Sequence, residues 1–313
     1  MQPNLPNEDF TKLFVNHNSN EVWDNGCEII QRINPHYDFH YAKTAFDDVV
    51  RLFRGDYLGF QEVQTLYHDL HHTLDVFTCA VRLMHGVHLS GTRLSDDEIT
   101  MIIMAALMHD VGYAQLLDDE TGTGAQYTAN HVDRSIEFMR EYIADQHFPV
   151  AFVTPLKYMM LITNPSLKIS EINFPDERTK LLGQIVTTAD LTGQMADRTY
   201  LEKLLFLYLE FKEANFGDYK NMHDLLCKTQ YFYTTVQNKL DIDLGGLYSK
   251  LTLHFKESLG IERNFYLESI DRNITYLAKI TARDEAEHFS MLKRGGFVEK
   301  TNALLSQRIS FIN

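Results

Sequence analysis

The stretch YHDLHHTLDV, residues 67–76, places three histidines and two aspartates within ten positions. His68 and His72 are four residues apart, so on a helix both imidazoles would lie on one face, about one turn from each other. Imidazole is a common metal ligand, and it also exchanges a proton near neutral pH. The spacing therefore allows a single site for metal binding or proton transfer. An ordinary polar helix face is the alternative for this pair alone.

Two apolar runs further along the chain each lead into residues that can bind a metal. MIIMAALM, residues 101–108, is followed by His109 and Asp110, and QIVTTA leads into Asp190. A charge buried at such a helix end is costly unless it is paired or bound to a metal. The helix macrodipole also disfavours a carboxylate at a helix C-terminus, and a nearby cation would relieve this. Exposed helix ends or turns are the alternative for each segment.

Together the three segments supply two imidazoles and two carboxylates, which suit zinc, manganese, iron or magnesium. A carboxylate can bridge two ions, so Asp110 would also serve a site with two metals. The cysteines, Cys27, Cys79 and Cys227, are few and far apart. Their spacing argues against a disulfide framework and against a cysteine-based zinc site. We therefore predict a divalent-metal site built from histidine and aspartate.

Helical periodicity accounts for most of the chain, and the sequence contains no convincing alternating strand and no internal repeat. The pattern becomes helical at His40, and a long helix is predicted from Gln64 to about Met84. Ser95 and Glu98 form a capping box that starts the next helix. Residues 114–127 are typical of a polar loop. Further helices are predicted at about 129–145, 149–162, 176–189, 198–214, 219–240, 244–258 and 262–293.

The chain is predicted to be all-α and to divide into three parts. Residues 1–38 are rich in asparagine and weakly periodic, which indicates an extended arm with one short helix. Residues 39–215 carry the candidate ligands and form the predicted catalytic core. Residues 216–313 form a helical extension that packs on this core. The extension either covers the site and sets specificity or only adds packing.

The three segments resemble the HD-domain metal-dependent phosphohydrolase superfamily and, within it, the class I cyclic nucleotide phosphodiesterases. YHDLHHTLDV is similar to the phosphodiesterase pattern Tyr-His-Asn-x-x-His-(Ala/Thr)-x-Asp-Val, with Asp69 in place of the asparagine. AALMHDVGY is similar to Ala-x-x-x-His-Asp-(Val/Ile), and TTADLTG is similar to Thr-Ala-x-Asp-Leu-Ser. The resemblance covers roughly residues 40–215. It implies an HD/PDEase-like multi-helix bundle.

The resemblance also implies roles for individual residues. His68 matches the residue that protonates the leaving-group oxygen, and support of His72 is its alternative role. Asp110 would bridge to a second ion, and two ions roughly 3.5–4 Å apart can hold a bridging hydroxide for in-line attack on phosphorus. The first metal ion would be bound by four residues, His72, His109, Asp110 and Asp190.

His131 starts a predicted helix near the place where many HD hydrolases have another histidine close to the second metal. It is either a second-metal ligand or phosphate contact, or a plain surface histidine. The chain departs from the phosphodiesterase pattern after its His-Asp pair, because VGYAQ follows where those enzymes have an apolar residue and Asp-His-Pro-Gly. Their purine-binding glutamine and phenylalanine also lack a counterpart, since Gln307 and Phe311 have a different spacing.

Charge and hydropathy limit the remaining function classes. The net charge of −14 opposes binding to a nucleic-acid backbone. The start MQPNLPNEDF lacks a signal-peptide core, and MIIMAALM is far shorter than the roughly 20 residues that span a bilayer. We expect a cytoplasmic phosphodiesterase-like hydrolase, acting on a small-molecule phosphate ester such as a cyclic nucleotide. Two alternative functions stay open, a di-iron oxygenase and a non-catalytic nucleotide-binding signalling module. A homodimer stays open as the oligomeric state.

Overall fold

In a computed structural model of the protein, residues 18–310 are described. Within this range the chain forms thirteen α-helices and no β-strand, so the prediction of an all-α multi-helix bundle is confirmed. No helix in the range is both long and apolar enough to span a membrane. The helices are α1 Ser19–Ile33, α2 His40–Phe53, α3 Leu70–Leu89, α4 Asp96–Met108, α5 His131–Asp145, α6 Val153–Leu161, α7 Glu177–Ala196, α8 Tyr200–Glu213, α9 Met222–Asn238, α10 Leu251–Leu259, α11 Phe265–Thr281, α12 Glu285–Met291 and α13 Phe297–Ser310.

Helices α3 and α7 pack against each other in the bundle, and α3 also contacts α1, α4 and α10. Two glycines allow close approach of the backbones around α3. A Cβ atom on Gly193 of α7 would lie 3.2 Å from the carbonyl oxygen of Asp75. A Cβ atom on Gly86 would lie 2.1 Å from the carbonyl oxygen of Lys250. Tight packing on these sides fixes the position of α3, whose first turn carries His72.

Helix α3 begins later than the predicted start at Gln64. Asp69 has an extended backbone, and its side chain accepts a hydrogen bond from the backbone N–H of His72 at 2.9 Å. This N-cap satisfies a donor of the first turn and sets the helix start at Leu70. His68 therefore precedes the helix, and the inference that His68 and His72 share one helix face is wrong.

Asp190 does not end its helix, contrary to the prediction. Helix α7 continues to Ala196, more than one turn beyond Asp190, and passes through Gly193. The glycine allows close packing on α3 and does not terminate the helix. The predicted helix at 262–293 is also wrong in extent, because it forms two helices, α11 and α12. The capping box of Ser95 and Glu98 is confirmed.

The terminal parts of the chain add helices to the same core. Residues 1–17 of the predicted arm lie outside the described range, while α1 buries Trp23 in ring contact with Phe77. Helix α13 of the extension packs on α8. The pair Gln307 and Phe311 lies outside the residues whose side chains are described. The apolar side chains of α8 are largely buried in the fold, and these include Leu201, Leu204, Leu205 and Leu209.

Candidate metal centre

Three helices of the core bring the four predicted ligands of the first metal together. His72 lies in the first turn of α3, His109 caps the end of α4, and Asp110 follows it. Asp190 lies inside α7 and faces the same point. All four side chains are buried. The helices α3, α4 and α7 contact one another in pairs, and this packing makes the cluster converge.

The donor atoms of the cluster are close enough to share one cation. The Nε2 atoms of His72 and His109 are 3.3 Å apart, and Asp110 Oδ2 lies 3.2 Å from each of them. Asp190 Oδ1 lies 3.5 Å from His72 Nε2 and 3.7 Å from His109 Nε2. The ligand atoms of His72, His109 and Asp110 all lie within 4.8 Å of one another.

Hydrogen bonding around the cluster fits a bound divalent ion. His109 Nδ1 donates to the carbonyl oxygen of Ala106 at 2.9 Å, which leaves the Nε2 lone pair of the neutral ring facing the cluster. Two imidazole nitrogens that share a tetrahedral zinc-sized ion are about 3.3 Å apart. Asp110 Oδ2 is buried and accepts no hydrogen bond. A carboxylate oxygen in that position needs a compensating positive charge.

When the cluster holds no cation, the charges of its own side chains set the pKa values of His109 and Asp110. Burial lowers the pKa of His109, but the charge of Asp110 outweighs burial and raises that pKa to about 9. Burial also raises the pKa of Asp110, and the facing charge of His109 brings it well below its usual range. The carboxylate is thus ionised at neutral pH. A divalent cation and a proton compete for the same imidazole nitrogen.

His131 lies on the other side of the Asp110 carboxylate. It is the first residue of α5, and its Nε2 lies 3.5 Å from Asp110 Oδ1, whereas His72 and His109 face Oδ2. His131 Nδ1 donates to the carbonyl oxygen of Thr128 at 2.8 Å, so the neutral ring again directs its Nε2 lone pair toward the carboxylate. The two oxygens of Asp110 therefore face different histidines.

His68 is held by a buried glutamate that the sequence analysis missed. His68 Nδ1 lies 2.6 Å from Glu210 Oε2, and the other oxygen of Glu210 accepts the backbone N–H of Tyr67 at 2.6 Å. Burial lowers the pKa of His68, but the charge of Glu210 outweighs it and the pKa is raised. The ring of Tyr113 stacks on His68 at 4.5 Å between centroids. These contacts fix the ring and leave its Nε2 for other partners.

Gln194 is a second residue that the sequence analysis missed. The hydroxyl of Tyr67 donates to Gln194 Oε1 at 2.8 Å, and Gln194 Nε2 donates to Asp190 Oδ1 at 3.1 Å. The sequence held a signal for both missed residues. Gln194 lies one turn after Asp190, and Glu210 is an isolated acid in the apolar run LLFLYLEF.

Comparisons with family models match two overlapping parts of the chain. Residues 38–186 match the HD-CE family, and residues 114–260 match the Npun_R2479-like family. A search of curated proteins found no match. The HD-CE match contains His72, His109, Asp110 and His131, and it ends four residues before Asp190.

Proposed function

We propose that the chain, whose residues 38–186 match the HD-CE family and whose buried His/His/Asp cluster fits the HD-domain phosphohydrolases, is a metal-dependent phosphodiesterase. Its substrate would be a phosphate ester of a nucleotide-type small molecule. The observation that carries the proposal is the convergence of His72, His109 and Asp110 on one buried point beside the His68–Glu210 pair.

His72, His109, Asp110 and Asp190 would hold the first divalent ion. Asp110 Oδ1 and His131 would contribute to a second, because they face away from the first pair of imidazoles. When bound, such ions polarise a phosphoryl oxygen and lower the pKa of water at the site. Asp110 is suited to bind a cation because its pKa is well below the usual range, so the carboxylate is ionised at neutral pH.

His68 would donate the proton that the leaving-group oxygen needs. Glu210 raises the pKa of His68 and holds Nδ1, so the proton for transfer is on Nε2. The side chains of His68 and His131 are each 16% exposed, whereas those of His72 and His109 are 5% and 2% exposed. The substrate would therefore approach from the side of His68 and His131, with the proton donor at the rim.

The test is hydrolysis of a phosphodiester panel by the purified chain with Mn²⁺, Mg²⁺ or Zn²⁺. The panel contains bis-p-nitrophenyl phosphate, cyclic mononucleotides, cyclic dinucleotides and dNTPs. Asp110→Asn should abolish turnover, because it removes the negative charge that the ion needs. Asp24→Asn is the matched control, since Asp24 is exposed on α1.

The alternatives predict different results in the same assay. Metal-loaded protein with no turnover on any ester would contradict the proposal. A mixed-valence iron signal in that protein would then favour a di-iron oxygenase. Nucleotide binding without turnover, unchanged in Asp110→Asn, would favour a signalling module.

A further inference from the structure

A second pair of histidines joins α9 to α12, away from the HD-type cluster. His223 is in the first turn of α9, and His288 is near the end of α12. Their Nδ1 atoms are 3.2 Å apart. His288 is 3% exposed, and the ring of His223 stacks on Phe289 at 4.3 Å between centroids. Both rings are therefore held in place by packing.

The hydrogen bonds of His288 fix which nitrogen is available to a ligand. His288 Nε2 donates to the carbonyl oxygen of Arg283 at 3.0 Å, so the neutral ring has its lone pair on Nδ1, directed at His223. A backbone carbonyl on the outer nitrogen is the usual support of a metal-binding histidine. The separation of 3.2 Å is also close to the value of about 3.3 Å expected for two nitrogens on one tetrahedral zinc ion.

Two further donors lie on the same pair of helices. Cys227 follows His223 by four residues on α9, so both side chains share one face. Glu285 precedes His288 by three residues on α12, and Asn221 Nδ2 donates to its Oε1 at 3.3 Å. In addition to burial, the charge of Glu285 acts on both His223 and Cys227, and the charge of Asp224 also acts on Cys227.

We propose that His223, Cys227 and His288, with Glu285, form a second divalent-metal site of the zinc type that fastens α9 to α12. Imidazole, thiolate and carboxylate are each zinc ligands, and structural zinc sites are four-coordinate. The site is structural, because protein side chains fill all four coordination positions of the ion. The wide spacing of the three cysteines argues against a site built from several cysteines, and it leaves room for one cysteine beside two histidines.

Forming this site requires the side chains of both Cys227 and Glu285 to move toward the two imidazoles. Among residues 18–305, three donors already lie within 4.8 Å only at His72, His109 and Asp110. The carboxylate of Glu285 would have to leave its exposed hydrogen bond to Asn221 and turn toward the two imidazoles. The thiol of Cys227 would lose its proton on binding, as every metal-bound cysteine does.

Electrostatics separates this pair from another buried pair, His85 and His254. Their Nδ1 atoms are 2.9 Å apart, so the geometry alone would also allow a cation. Burial lowers the pKa of His254, and the positive charges of Arg82 and Arg32 lower it further. A metal ion there would meet these like charges, and the nearest carboxylate, Glu257 on α10, lies 3.9 Å from His85 Nε2 but is paired with Arg32 at 2.8 Å. At the α9–α12 pair the charge of Glu285 acts on His223, which favours a cation there.

The experiment is a Zn²⁺ titration of the metal-free full-length chain, with bound zinc per chain counted by mass spectrometry after desalting. His223→Gln should bind one zinc fewer than the wild type. His36→Gln, at an exposed histidine, should bind the same number as the wild type. Asp110→Asn should still bind the zinc ion that His223→Gln loses. This result would separate the α9–α12 site from the HD-type cluster. Equal zinc content in wild type and His223→Gln would overturn the proposal and leave the pair as a hydrogen bond.

Co²⁺ provides a readout that does not depend on stability or activity. Cobalt bound to the thiolate of Cys227 should give a sulfur-to-cobalt charge-transfer band in the wild type and in Asp110→Asn. The band should be absent in Cys227→Ser, which changes one atom in a half-buried side chain. A wild-type chain that binds cobalt without this band would overturn the assignment of Cys227.

Discussion

Replacing Glu210 with glutamine tests the role of His68 without touching a metal ligand. Glu210 is 2% exposed, and its Oε2 lies 2.6 Å from His68 Nδ1. Glutamine keeps an acceptor for the backbone N–H of Tyr67, so the segment just before α3 is expected to stay in place. The change removes the negative charge that raises the pKa of His68. The imidazole should then hold its proton less well.

The size of the effect follows from the loss of one charge-assisted hydrogen bond. Such a bond contributes roughly 1.5–3 kcal/mol, which corresponds to about a 10- to 150-fold fall in kcat. The fall should be larger for alkyl phosphodiesters than for bis-p-nitrophenyl phosphate, because nitrophenolate leaves without much help from an acid. Bound metal per chain should not change.

Steady-state kinetics on both kinds of ester, together with metal analysis, check this prediction. Glu213→Gln is the matched control on the same helix, where Glu213 Oε1 accepts hydrogen bonds from Thr123. An equal loss of kcat on good and poor leaving groups would refute the assignment of His68 as the acid. So would a loss of bound metal in Glu210→Gln.

Three further predictions concern the stability of the fold, each measured by urea unfolding. Burial lowers the pKa of His254 to about 2, so its stabilisation is present above pH 6.5 and is lost as the pH falls. Between pH 6.5 and 4.5 the wild type should lose about 2 kcal/mol that His254→Gln does not lose, and equal pH slopes would contradict this. Gly86→Ala should destabilise by about 1–3 kcal/mol, because the new Cβ meets the Lys250 carbonyl oxygen, and an unchanged midpoint would count against the close packing of α3. Ser95→Ala should cost about 1 kcal/mol through loss of the capping box, and wild-type stability would show that the cap contributes little.

The local chemistry of several elements was predictable from the sequence. The capping box of Ser95 and Glu98 depends only on neighbours within one turn, and it is present as predicted. The predicted start of α3 is wrong because its N-cap, Asp69, lies inside the histidine-rich stretch, where the spacing of His68 and His72 favours a continuous helix. The end of α7 was missed because Gly193 packs against the backbone of α3, and a contact of that kind leaves no local signal.

The sequence by itself determined the all-α class and the residue types of the candidate site, because helical periodicity and ligand chemistry are local properties of the chain. The tertiary structure decided which side chains meet. It placed His68 beside Glu210, which is 142 residues away, and directed His131 to the second oxygen of Asp110. It also brought His223 to His288 across 65 residues. These pairings follow from how whole helices pack, and helix packing is set by many apolar contacts that no single motif records.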